Sequence, residues 1–309
     1  MTRPTISVIT PIFNAYETLS TAVASVMAQS FQDWEMILID DGSTDQSLAL
    51  ALSIAGEDDR IRVIGQDNRG VSEARNLGAE MARGTLLAFL DADDAWRADK
   101  LAIHHQLHTA KPELDASFAR IAFREDITGN YANIRTQSTV PDGLVSLGAV
   151  IADNPVCTTS NLVITRSAWD NTGPFQKGMN YAEDQEWLAR LVAGGGSLHG
   201  IDRTLTDYRM SEGGLSADLD QMLQGWRSLA SRYADQIDLR QAEAVYYRYL
   251  SRRALRTGGP AAQAIGYAAR GLRRSPKGFM ADPRRGGMTI AGAVAGLVMP
   301  APLRSRVFA

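Results

Sequence analysis

Three aspartates follow directly after a short apolar run in the first third of the chain. The run at residues 86–90 ends at Asp91, and Asp93 and Asp94 complete the cluster within the next three positions. Carboxylates this close repel one another unless a cation lies between them, and the hard cations Mg²⁺ and Mn²⁺ take oxygen ligands that they share with substrate phosphates. The cluster therefore predicts a metal ion that holds a diphosphate. In the alternative interpretation, Asp94 caps a helix that begins near Arg97, but a cap needs one aspartate and not three.

The elements around this cluster indicate how it is positioned. The apolar run at residues 86–90 is too short for a buried helix, which predicts a central strand covered on both faces. Three earlier strand-like runs alternate with amphipathic helical patterns, at residues 6–10, 36–39 and 61–64. This alternation predicts an α/β fold with a mostly parallel, doubly wound sheet. Ligands bind outside the carboxyl ends of such strands, where the predicted sheet collects Pro11, Asp41, Gly70 and Asp93.

Local patterns predict further elements of this domain. Ser43 and Gln46 have the spacing of a capping box, which predicts a helix over residues 48–54. Residues 117–124 alternate like an outer strand with one solvated face, and residues 158–164 also have strand character. The sheet is therefore expected to continue after the aspartate cluster.

Three histidines, His104, His105 and His108, lie close together on a predicted helix at residues 101–108. Such a group could indicate a metal site. A closed site requires a further ligand, however, and the nearby sequence supplies none. We therefore interpret these histidines as solvated surface residues.

The composition is that of a globular protein in a reducing compartment. Of the 309 residues, 45% are hydrophobic. Cys157 is the only cysteine, so no intrachain disulfide can form, and we expect it to be a small core residue in a cytoplasmic protein. The N-terminus leads directly into the strand-like run at Ile6, so we expect no secretion signal.

The net charge of −3 hides a strong asymmetry along the chain. From Arg240 to the end there are thirteen Lys and Arg residues against two acids, whereas the preceding part has 19 against 33. The acidic body argues against nucleic acid as a partner, because such partners need a basic face. The basic C-terminal part could suit an anionic membrane surface.

Four motifs occur in a characteristic order, at residues 7–14, 39–45, 70–76 and 90–94. In this order they closely resemble the family 2 glycosyltransferases, enzymes with the GT-A fold, and the resemblance spans about residues 5 to 216. A lone Asp-x-Asp would be a weak signal, since chance produces it often. The resemblance implies a catalytic domain at residues 1–216 and leaves residues 217–309 as a basic helical extension.

The resemblance also implies a site for a nucleotide-sugar donor. Pro11 and Phe13 would line the base, and Asp41 would accept the imide N–H of uracil, which suits a carboxylate because it only accepts hydrogen bonds when ionised. Burial in the core is an equal alternative for Phe13. Gly70 would allow close backbone approach, and Arg75 would lie near the diphosphate or brace the acidic loop.

The same resemblance identifies Asp91 and Asp93 as the family's Asp-x-Asp, with Asp93 favoured over Asp91 as the direct ligand of Mg²⁺ or Mn²⁺. Asp91 would also contact the donor. For Arg75, the alternative is an ion pair with a neighbouring acid on the surface of its helix. Arg209 would meet phosphate oxygens from a loop that ends at Ser216. That loop contains no histidine, so we expect no further metal ligand from it.

Glu183 and Asp184 lie in the first turn of a predicted helix, where the helix dipole alone favours acids. The resemblance places Glu183 at the substrate and assigns Asp184 the role of catalytic base. A base near the acceptor hydroxyl takes its proton as the hydroxyl attacks the anomeric carbon, and a single displacement inverts that centre. The chain has no Gln-x-x-Arg-Trp, the mark of processive synthases, so we expect one sugar transferred per binding event.

Residues 288–299 form an apolar stretch that is short of the ~20 residues needed to cross a bilayer. Basic residues surround it in the sequence: Arg270, Arg273, Arg274, Lys277, Arg284, Arg285, Arg304 and Arg306. This combination predicts peripheral contact with the cytoplasmic face of the inner membrane, where a lipid-linked acceptor would wait. The alternative is a soluble helical extension with solvated arginines.

Together these features predict a metal-dependent, inverting glycosyltransferase that moves a sugar from a UDP-linked donor to a glycan or lipid-linked acceptor in bacterial exopolysaccharide or cell-surface glycan synthesis. One alternative is a sugar-nucleotide nucleotidyltransferase, but those enzymes need a Gly-rich basic loop, and residues 11–17 contain no Gly, Arg or Lys. Another is a catalytically silent module that binds nucleotide or glycan. The presence of Asp93 and Asp184 argues against it.

Overall fold

The computed structural model describes residues 3–127, 134–179, 182–210, 218–256 and 260–299 of the chain. Its contacts divide the chain into two compact units. The first comprises Met1–Val145 and Pro155–Glu212, and the second comprises Ser146–Asn154 and Gly213–Ala309. The predicted domain boundary between residues 216 and 217 lies outside the described residues.

The strands belong to the first unit: β1 (Ile6–Ile12), β2 (Trp34–Asp41), β3 (Ile61–Gln66), β4 (Leu86–Phe89), β5 (Ala95–Trp96), β6 (Ala116–Arg124), β7 (Ile134–Gln137), β8 (Val163–Thr165) and β9 (Leu198–Arg209). The helices are α1 (Tyr16–Met27), α2 (Ser47–Ala55), α3 (Val71–Met81), α4 (Lys100–Ala110), α5 (Leu147–Asp153), α6 (Arg166–Thr172), α7 (Glu183–Ala193), α8 (Leu219–Ser231), α9 (Leu239–Arg256), α10 (Ala261–Arg274), α11 (Pro276–Phe279) and α12 (Pro283–Val298). Helix α5 and helices α8 to α12 lie in the second unit.

The strands form one sheet in the order β3-β2-β1-β4-β8-β6-β9-β5, with β7 paired to β6. The pairs β3-β2, β2-β1, β1-β4 and β6-β9 are parallel, and these are the long pairings of the sheet. Strand β8 pairs antiparallel with β4 and β6, and β5 pairs antiparallel with β9. The predicted α/β fold with a mostly parallel sheet is therefore confirmed, as is the helical C-terminal region.

The centre of this sheet is covered on both faces. Strands β1, β2 and β4 are buried along their whole length, and their β-branched and aliphatic side chains each contribute about 1.5–3 kcal/mol by leaving water. Helix α3 lies especially close to the sheet because residue 78 is glycine: a Cβ at Gly78 would come within 2.4 Å of Ile9 Cγ2. The close approach brings Arg75 of the same helix to the carboxyl edge.

Two predicted strands differ from the structure. Residues 117–124 are not an outer strand, because β6 pairs with β8, β9 and β7 and is buried over most of its length. Residues 159–161 form a 3₁₀ helix before the short strand β8, since Thr158 caps this turn by accepting a hydrogen bond from Ser160 N. Both errors arise because polar side chains in the interior of this sheet bond to neighbouring elements.

Two smaller predictions are also wrong. Ser43 does not cap α2, which begins at Ser47; Asp45 Oδ1 accepts the hydrogen bond from Ser47 N, and Ser43 Oγ accepts one from Asn14 N. Cys157 is exposed and not a core residue, at a position with φ +69°. In both places the contacts of a loop, which local spacing does not encode, determine the outcome.

The three histidines of α4 are not a solvated group. His104 and His108 are buried, and Ser117 Oγ on β6 lies 2.7 Å from His104 Nδ1 and 2.9 Å from His108 Nε2. Lys100 is also buried, with Nζ 3.4 Å from His104 Nε2 and 3.3 Å from the carbonyl oxygen of Asn161. Burial lowers the pKa of Lys100 to about 7 and that of His108 to about 4. This chain of polar groups couples α4 to the sheet.

The lowered pKa of Lys100 predicts a pH dependence of stability. Between about pH 7 and pH 10.5 the unfolded chain binds a proton at Lys100 that the folded protein does not, so the free energy of unfolding rises with pH through this range. Replacing Lys100 with Met should remove about 3 kcal/mol of the rise between pH 7 and pH 10. Urea denaturation at several pH values measures this difference.

The matched control is Lys111→Met, which removes an exposed lysine at the end of the same helix. We expect this control to follow the parent protein at every pH. A Lys100→Met variant whose free energy of unfolding rises with pH as steeply as that of the parent would show that Lys100 is charged in the folded protein.

Candidate active site

The loops that follow β1 and β2 are joined by one asparagine. Asn14 adopts φ +49°, and its Oδ1 accepts hydrogen bonds from Thr44 N at 2.8 Å and from Asp45 N at 3.3 Å. In return, Ala15 N donates to Ser47 Oγ at 2.8 Å. Asparagine tolerates this left-handed conformation better than most residues. The edge of the sheet beside Pro11 is therefore held by side chains and does not depend on loop packing alone.

Pro11 and Phe13 lie at the carboxyl end of β1 and just beyond it. Pro11 is buried in the strand, whereas the Phe13 side chain is 51% exposed, so it is not a core residue. An exposed aromatic ring at this edge has a free face for a nucleotide base. The predicted contact of both residues with a base stays a prediction.

Asp41, at the end of β2, is buried and holds the loop that follows β3. Its Oδ1 accepts hydrogen bonds from Gln66 Nε2 at 2.7 Å and from Arg69 N at 2.8 Å, and its Oδ2 accepts one from Gly70 N at 2.8 Å. A carboxylate offers about four acceptor positions. One acceptor position on Oδ2 therefore remains, and the predicted residues Asp41 and Gly70 are in direct contact.

Two glycines allow the loops to meet here. Gly42 has φ +73°, and a Cβ on it would lie 2.8 Å from Asn68 N, so any larger residue would push the two loops apart. Gly70 has φ +91° and is the N-cap of α3, yet in the described part of the chain no atom beyond its two chain neighbours lies within 4 Å of a Cβ built at this position. The requirement at Gly70 is conformational, and the open space next to it can admit a ligand.

Arg75 joins two of the predicted carboxylates. This side chain is only 4% exposed, and it donates from Nη2 to Asp91 Oδ1 at 2.6 Å and from Nη1 to Glu183 Oε1 at 2.8 Å. Burial disfavours the charged guanidinium, but the two carboxylates outweigh this and raise the pKa of Arg75 above its ordinary value. The alternative of a surface ion pair is thus wrong: Arg75 braces the acidic loop against the start of α7.

Helix α3 is fixed to the segment before α7 by its neighbouring residue as well. Asn76 Nδ2 donates to the carbonyl oxygen of Phe175, and Phe175 N donates back to Asn76 Oδ1, both at 2.9 Å. The Phe175 ring packs edge-on against Phe89 and Trp169, with ring centroids 5.4 Å apart in each case. Asn76 therefore positions Arg75, a role that its sequence context did not reveal.

The three aspartates occupy different environments. Asp91 N donates to Ser160 Oγ at 3.0 Å, which fixes the start of the cluster on the 3₁₀ helix. Asp93 is half-buried, and its pKa is raised by burial and by Asp91, against the opposing charge of Arg209. Asp94 is buried, and burial and the other two aspartates raise its pKa as well.

Asp94 does not cap a helix, since α4 begins only at Lys100. Its Oδ1 instead accepts a hydrogen bond from Arg209 N at 2.9 Å, which ties the end of β9 to the acidic cluster. Arg209 therefore lies beside Asp93, as its predicted role requires. The loop that follows Arg209 up to Ser216 was expected to close over the diphosphate, and residues 211–216 lie outside the described residues.

The fit of a divalent cation depends on Asp93 and Asp91. Asp91 already shares one carboxylate oxygen with Arg75, which leaves Asp93 as the carboxylate better placed to bind a metal directly. Within the described part of the chain, no group of three or more His, Cys, Asp or Glu side chains is arranged to hold a metal ion. Mg²⁺ and Mn²⁺ use few protein carboxylates and complete their shell with phosphate oxygens and water, so these two residues fit such an ion together with a diphosphate.

The second acidic pair lies where the helical pattern predicted. Glu183 and Asp184 are the first two residues of α7, which follows Ala182 in a left-handed conformation. Glu183 is bound to Arg75, whereas Asp184 is half-buried and its Oδ1 accepts a hydrogen bond from Gln185 N at 2.7 Å. The structure brings Glu183 to Asp91 through Arg75, and Asp184 follows Glu183 in the same helical turn.

The bridge formed by Arg75 predicts a loss of stability when it is removed. Arg75→Met should lower the free energy of unfolding by on the order of 3 kcal/mol, because Asp91 and Glu183 would be left in partly buried positions without their shared cation. Urea denaturation at neutral pH measures this loss.

The control is Lys177→Met. Lys177 forms an ion pair, at 3.0 Å, with Glu73 of α3, the helix that carries Arg75. The Lys177 side chain is 67% exposed, so its removal should change the free energy of unfolding by less than about 1 kcal/mol. Equal losses in the two variants would contradict the structural role assigned to Arg75.

Known structures share this fold. TarS of S. aureus (residues 1–349), in complex with UDP-GlcNAc, matches with a TM-score of 0.63 and 18% identity over 98% of this chain and 90% of that one. The mannosyltransferase PcManGT from Pyrobaculum calidifontis, in complex with GDP-Man and Mn²⁺, matches with a TM-score of 0.63 and 17% identity over 99% and 88%. At these identities the likeness concerns the fold alone, and it confirms the GT-A prediction.

Curated relatives match parts of the chain. TuaG of Bacillus subtilis is 44% identical over 100 residues, which are 32% of this chain and 40% of TuaG. The Escherichia coli UDP-Glc:alpha-D-GlcNAc-diphosphoundecaprenol beta-1,3-glucosyltransferase WfgD is 28% identical over 217 residues, 69% of this chain and 80% of WfgD. Matches to a Haemophilus influenzae glycosyltransferase and to EpsJ of B. subtilis cover 58% and 26% of those proteins. The chain thus spans less than two thirds of the length of three of these four relatives.

One family model covers the part of the chain that contains the Asp-x-Asp motif. It is described as glycosyl transferase family 2 and matches residues 7–171, which are more than half of the 309 residues. The matched span includes Asp41, Arg75 and Asp93, while Asp184 and Arg209 lie after it. On this match, together with the shared fold, the chain belongs to glycosyl transferase family 2.

Proposed function

We propose that this protein transfers a single sugar from a nucleotide-diphosphate donor to a hydroxyl of a glycan or lipid-linked acceptor, with inversion at the anomeric carbon. The observation that carries the proposal is the ion-pair bridge from Asp91 through Arg75 to Glu183. It couples the acidic cluster, suited to a metal and a diphosphate, to the helix start that presents Asp184. A sugar bound between a diphosphate and a base needs these two groups at one edge of the sheet.

The donor is proposed to be a UDP-sugar. The exposed ring of Phe13 offers a stacking surface for the base, and the remaining acceptor position on Asp41 Oδ2 suits the imide N–H of uracil. WfgD is named for UDP-Glc and TarS was solved with UDP-GlcNAc, whereas PcManGT was solved with GDP-Man. Guanine also presents an N–H, so the two nucleotides have to be compared directly.

Asp93, assisted by Asp91, is proposed to hold Mg²⁺ or Mn²⁺ together with the donor diphosphate. When bound, such an ion stabilises the negative charge of the leaving diphosphate as a Lewis acid. Arg209 lies beside Asp93 and can donate to the same phosphate oxygens. Arg75 binds two carboxylates, and we assign it a positioning role.

Asp184 is proposed to be the base. As the acceptor oxygen forms its bond to the anomeric carbon, the bond from that carbon to the diphosphate oxygen breaks, and the acceptor proton passes to the Asp184 carboxylate. The N-terminus of α7 favours the ionised form that can accept this proton. Glu183 is held in its ion pair with Arg75. Of the two acids at the start of α7, we therefore assign the role of base to Asp184.

The two alternatives are less well supported. A nucleotidyltransferase would need phosphate-binding residues in the loop after β1, where the structure has Asn14 engaged in fixing the next loop. A silent binding module would not require an acidic pair at the start of α7. Membership in glycosyl transferase family 2 also favours transfer of a sugar.

Calorimetric titration with UDP and GDP, with and without Mn²⁺, tests the donor site. We expect Mn²⁺-dependent binding of UDP that Asp93→Ala abolishes and that Phe13→Ala weakens about tenfold by removing the stacking surface. Phe13 is a cleaner choice than Asp41, because Asp41 also holds the loop at residues 66–70. Absence of binding by either nucleotide under every condition would contradict the donor site.

The base is tested in the same proteins by UDP release from UDP-glucose in the presence of a GlcNAc-diphosphate lipid, the pair suggested by the name of WfgD, followed by other UDP-sugars. Asp184→Asn should bind UDP normally and lose about 10²–10⁴-fold in turnover. Asp170→Asn, an exposed acid on α6, is the control and should keep full turnover. Parental turnover in Asp184→Asn would disprove the assignment of the base.

A peripheral contact with the membrane is also proposed, through helix α12. Small residues form its buried side, and large apolar residues are exposed: Met288, Val294, Leu297 and Val298. Arg284 and Arg285 lie at its start, near the level at which anionic headgroups would lie. We find no helix long and apolar enough to span a bilayer within the described residues.

Flotation with phosphatidylglycerol vesicles tests this contact. The double variant Val294→Asp, Val298→Asp should lose vesicle binding, since charge replaces the apolar face. The control is Leu48→Asp, Leu52→Asp on α2, where Leu52 is 56% exposed against 54% for Val294. Unchanged flotation of the α12 variant would rule out this helix as the membrane contact.

A further inference from the structure

The second unit contains a cavity that none of the proposed steps uses. It has a volume of about 710 Å³ and is formed by side chains of α8, α9 and α10: Leu223, Arg227, Arg240, Glu243, Tyr247, Arg270, Arg273 and Arg274. Five of these eight residues are arginines, and one is an acid. The cavity therefore carries a formal charge of +4 in a chain whose total charge is −3.

One carboxylate organises part of the cavity wall. Glu243 Oε1 accepts a hydrogen bond from Arg227 Nη2 at 2.9 Å, and Glu243 Oε2 lies 2.6 Å from Arg274 Nε. Arg227 Nη2 also donates to Tyr247 Oη at 2.7 Å. Two guanidinium groups from α8 and α10 are thus held in fixed positions by a central residue of α9, with only one negative charge between them.

The other three arginines are less compensated, and the acid near Arg240 is the exposed Asp238. Among the described residues, Arg240, Arg270 and Arg273 form no ion pair, and Arg270 instead lies over the ring of Tyr267 at 5.6 Å. All three are exposed. Arginines that converge on one cavity repel one another, and a bound anion would relieve this repulsion. Their arrangement therefore favours a ligand that brings several negative charges.

Guanidinium groups match phosphate oxygens by paired hydrogen bonds, and arginine is the common choice where phosphate is recognised. The cavity volume is within the ~300–1,000 Å³ range of small-molecule sites. This volume exceeds the space that a single phosphate ion needs. Leu223 and the ring of Tyr247 add an apolar surface beside the charges. We propose that this cavity binds a diphosphate, or two neighbouring phosphate groups, carried on a larger molecule.

This proposal does not rest on the proposed sugar transfer. It is tested with the full chain in a buffer from which a chelating resin has removed divalent metals. Without a metal, pyrophosphate should not bind at Asp93, so the measured binding reports on the cavity. Calorimetric titration with inorganic pyrophosphate should show binding that Arg240→Gln, Arg273→Gln weakens about tenfold or more, since two charge-assisted contacts are lost. Both residues are exposed, and thermal melting followed by circular dichroism checks that the variant is folded.

The matched control carries the same loss of charge elsewhere in the second unit, as Arg232→Gln, Lys277→Gln. Both residues are exposed and do not line the cavity. We expect this control to bind pyrophosphate like the parent protein. Absence of pyrophosphate binding in the parent protein, or equal weakening in the two double variants, would overturn the proposal.

A second arm identifies where the phosphates come from. Phosphatidylglycerol vesicles that bind the parent protein, are displaced by pyrophosphate and fail to bind the Arg240→Gln, Arg273→Gln variant would support the site and assign its phosphates to lipid headgroups. Pyrophosphate binding that depends on the same arginines, with vesicle binding unaffected by pyrophosphate, would support the site and assign its phosphates to a soluble or glycan-borne ligand. The Val294→Asp, Val298→Asp variant is tested for vesicle binding in parallel. It shows how much of that binding comes from the apolar face of α12 and not from the cavity.

Discussion

One buried cation determines the arrangement of the acidic residues in the first unit. Arg75 is almost completely removed from solvent and binds Asp91 and Glu183, which belong to different parts of the sheet edge. Without Arg75, the carboxylates of Asp91 and Glu183 would repel each other in a partly buried position, and this repulsion would favour conformations that move them apart. With it, the two carboxylates are drawn to one point, since a planar guanidinium can bond to both at once. Helix α3 can supply this cation only because Gly78 lets it pack close to β1.

The same physical device recurs along the edge of the sheet. Asn14, Asp41 and Asp94 each accept hydrogen bonds from backbone N–H groups of a segment that is distant in the sequence, and Ser160 accepts one from Asp91 N. Buried or half-buried polar groups are costly unless they are paired, so each loop has one favoured position. The edge is thereby preorganised, which is what a site for a charged donor requires.

The second unit uses charge differently. Its arginines are placed on the surfaces of helices, where Glu243 neutralises only part of their charge. Helix α12 buries small residues such as Gly292 and exposes large ones such as Val294, the reverse of an ordinary surface helix. Both features would suit a ligand that combines phosphate with apolar groups. The first unit, by contrast, pairs buried charges such as Glu35 and Arg75 internally.

Local patterns in the sequence were sufficient to predict the alternation of strands and helices, the position of Asp93 at a strand end and the acidic start of α7, because apolar periodicity and capping preferences act over a few residues. The partners of buried polar groups were not accessible in this way. Arg75 and Glu183 are 108 residues apart, and nothing near either residue indicates the other. His104 was likewise predicted to be solvated, whereas in the structure its hydrogen-bond partner is Ser117 on an interior strand. The sequence by itself thus determined which elements form and at which edge of the sheet the predicted site residues lie. Only the tertiary structure decided how the charges are paired, because pairing depends on distances between segments that are remote along the chain.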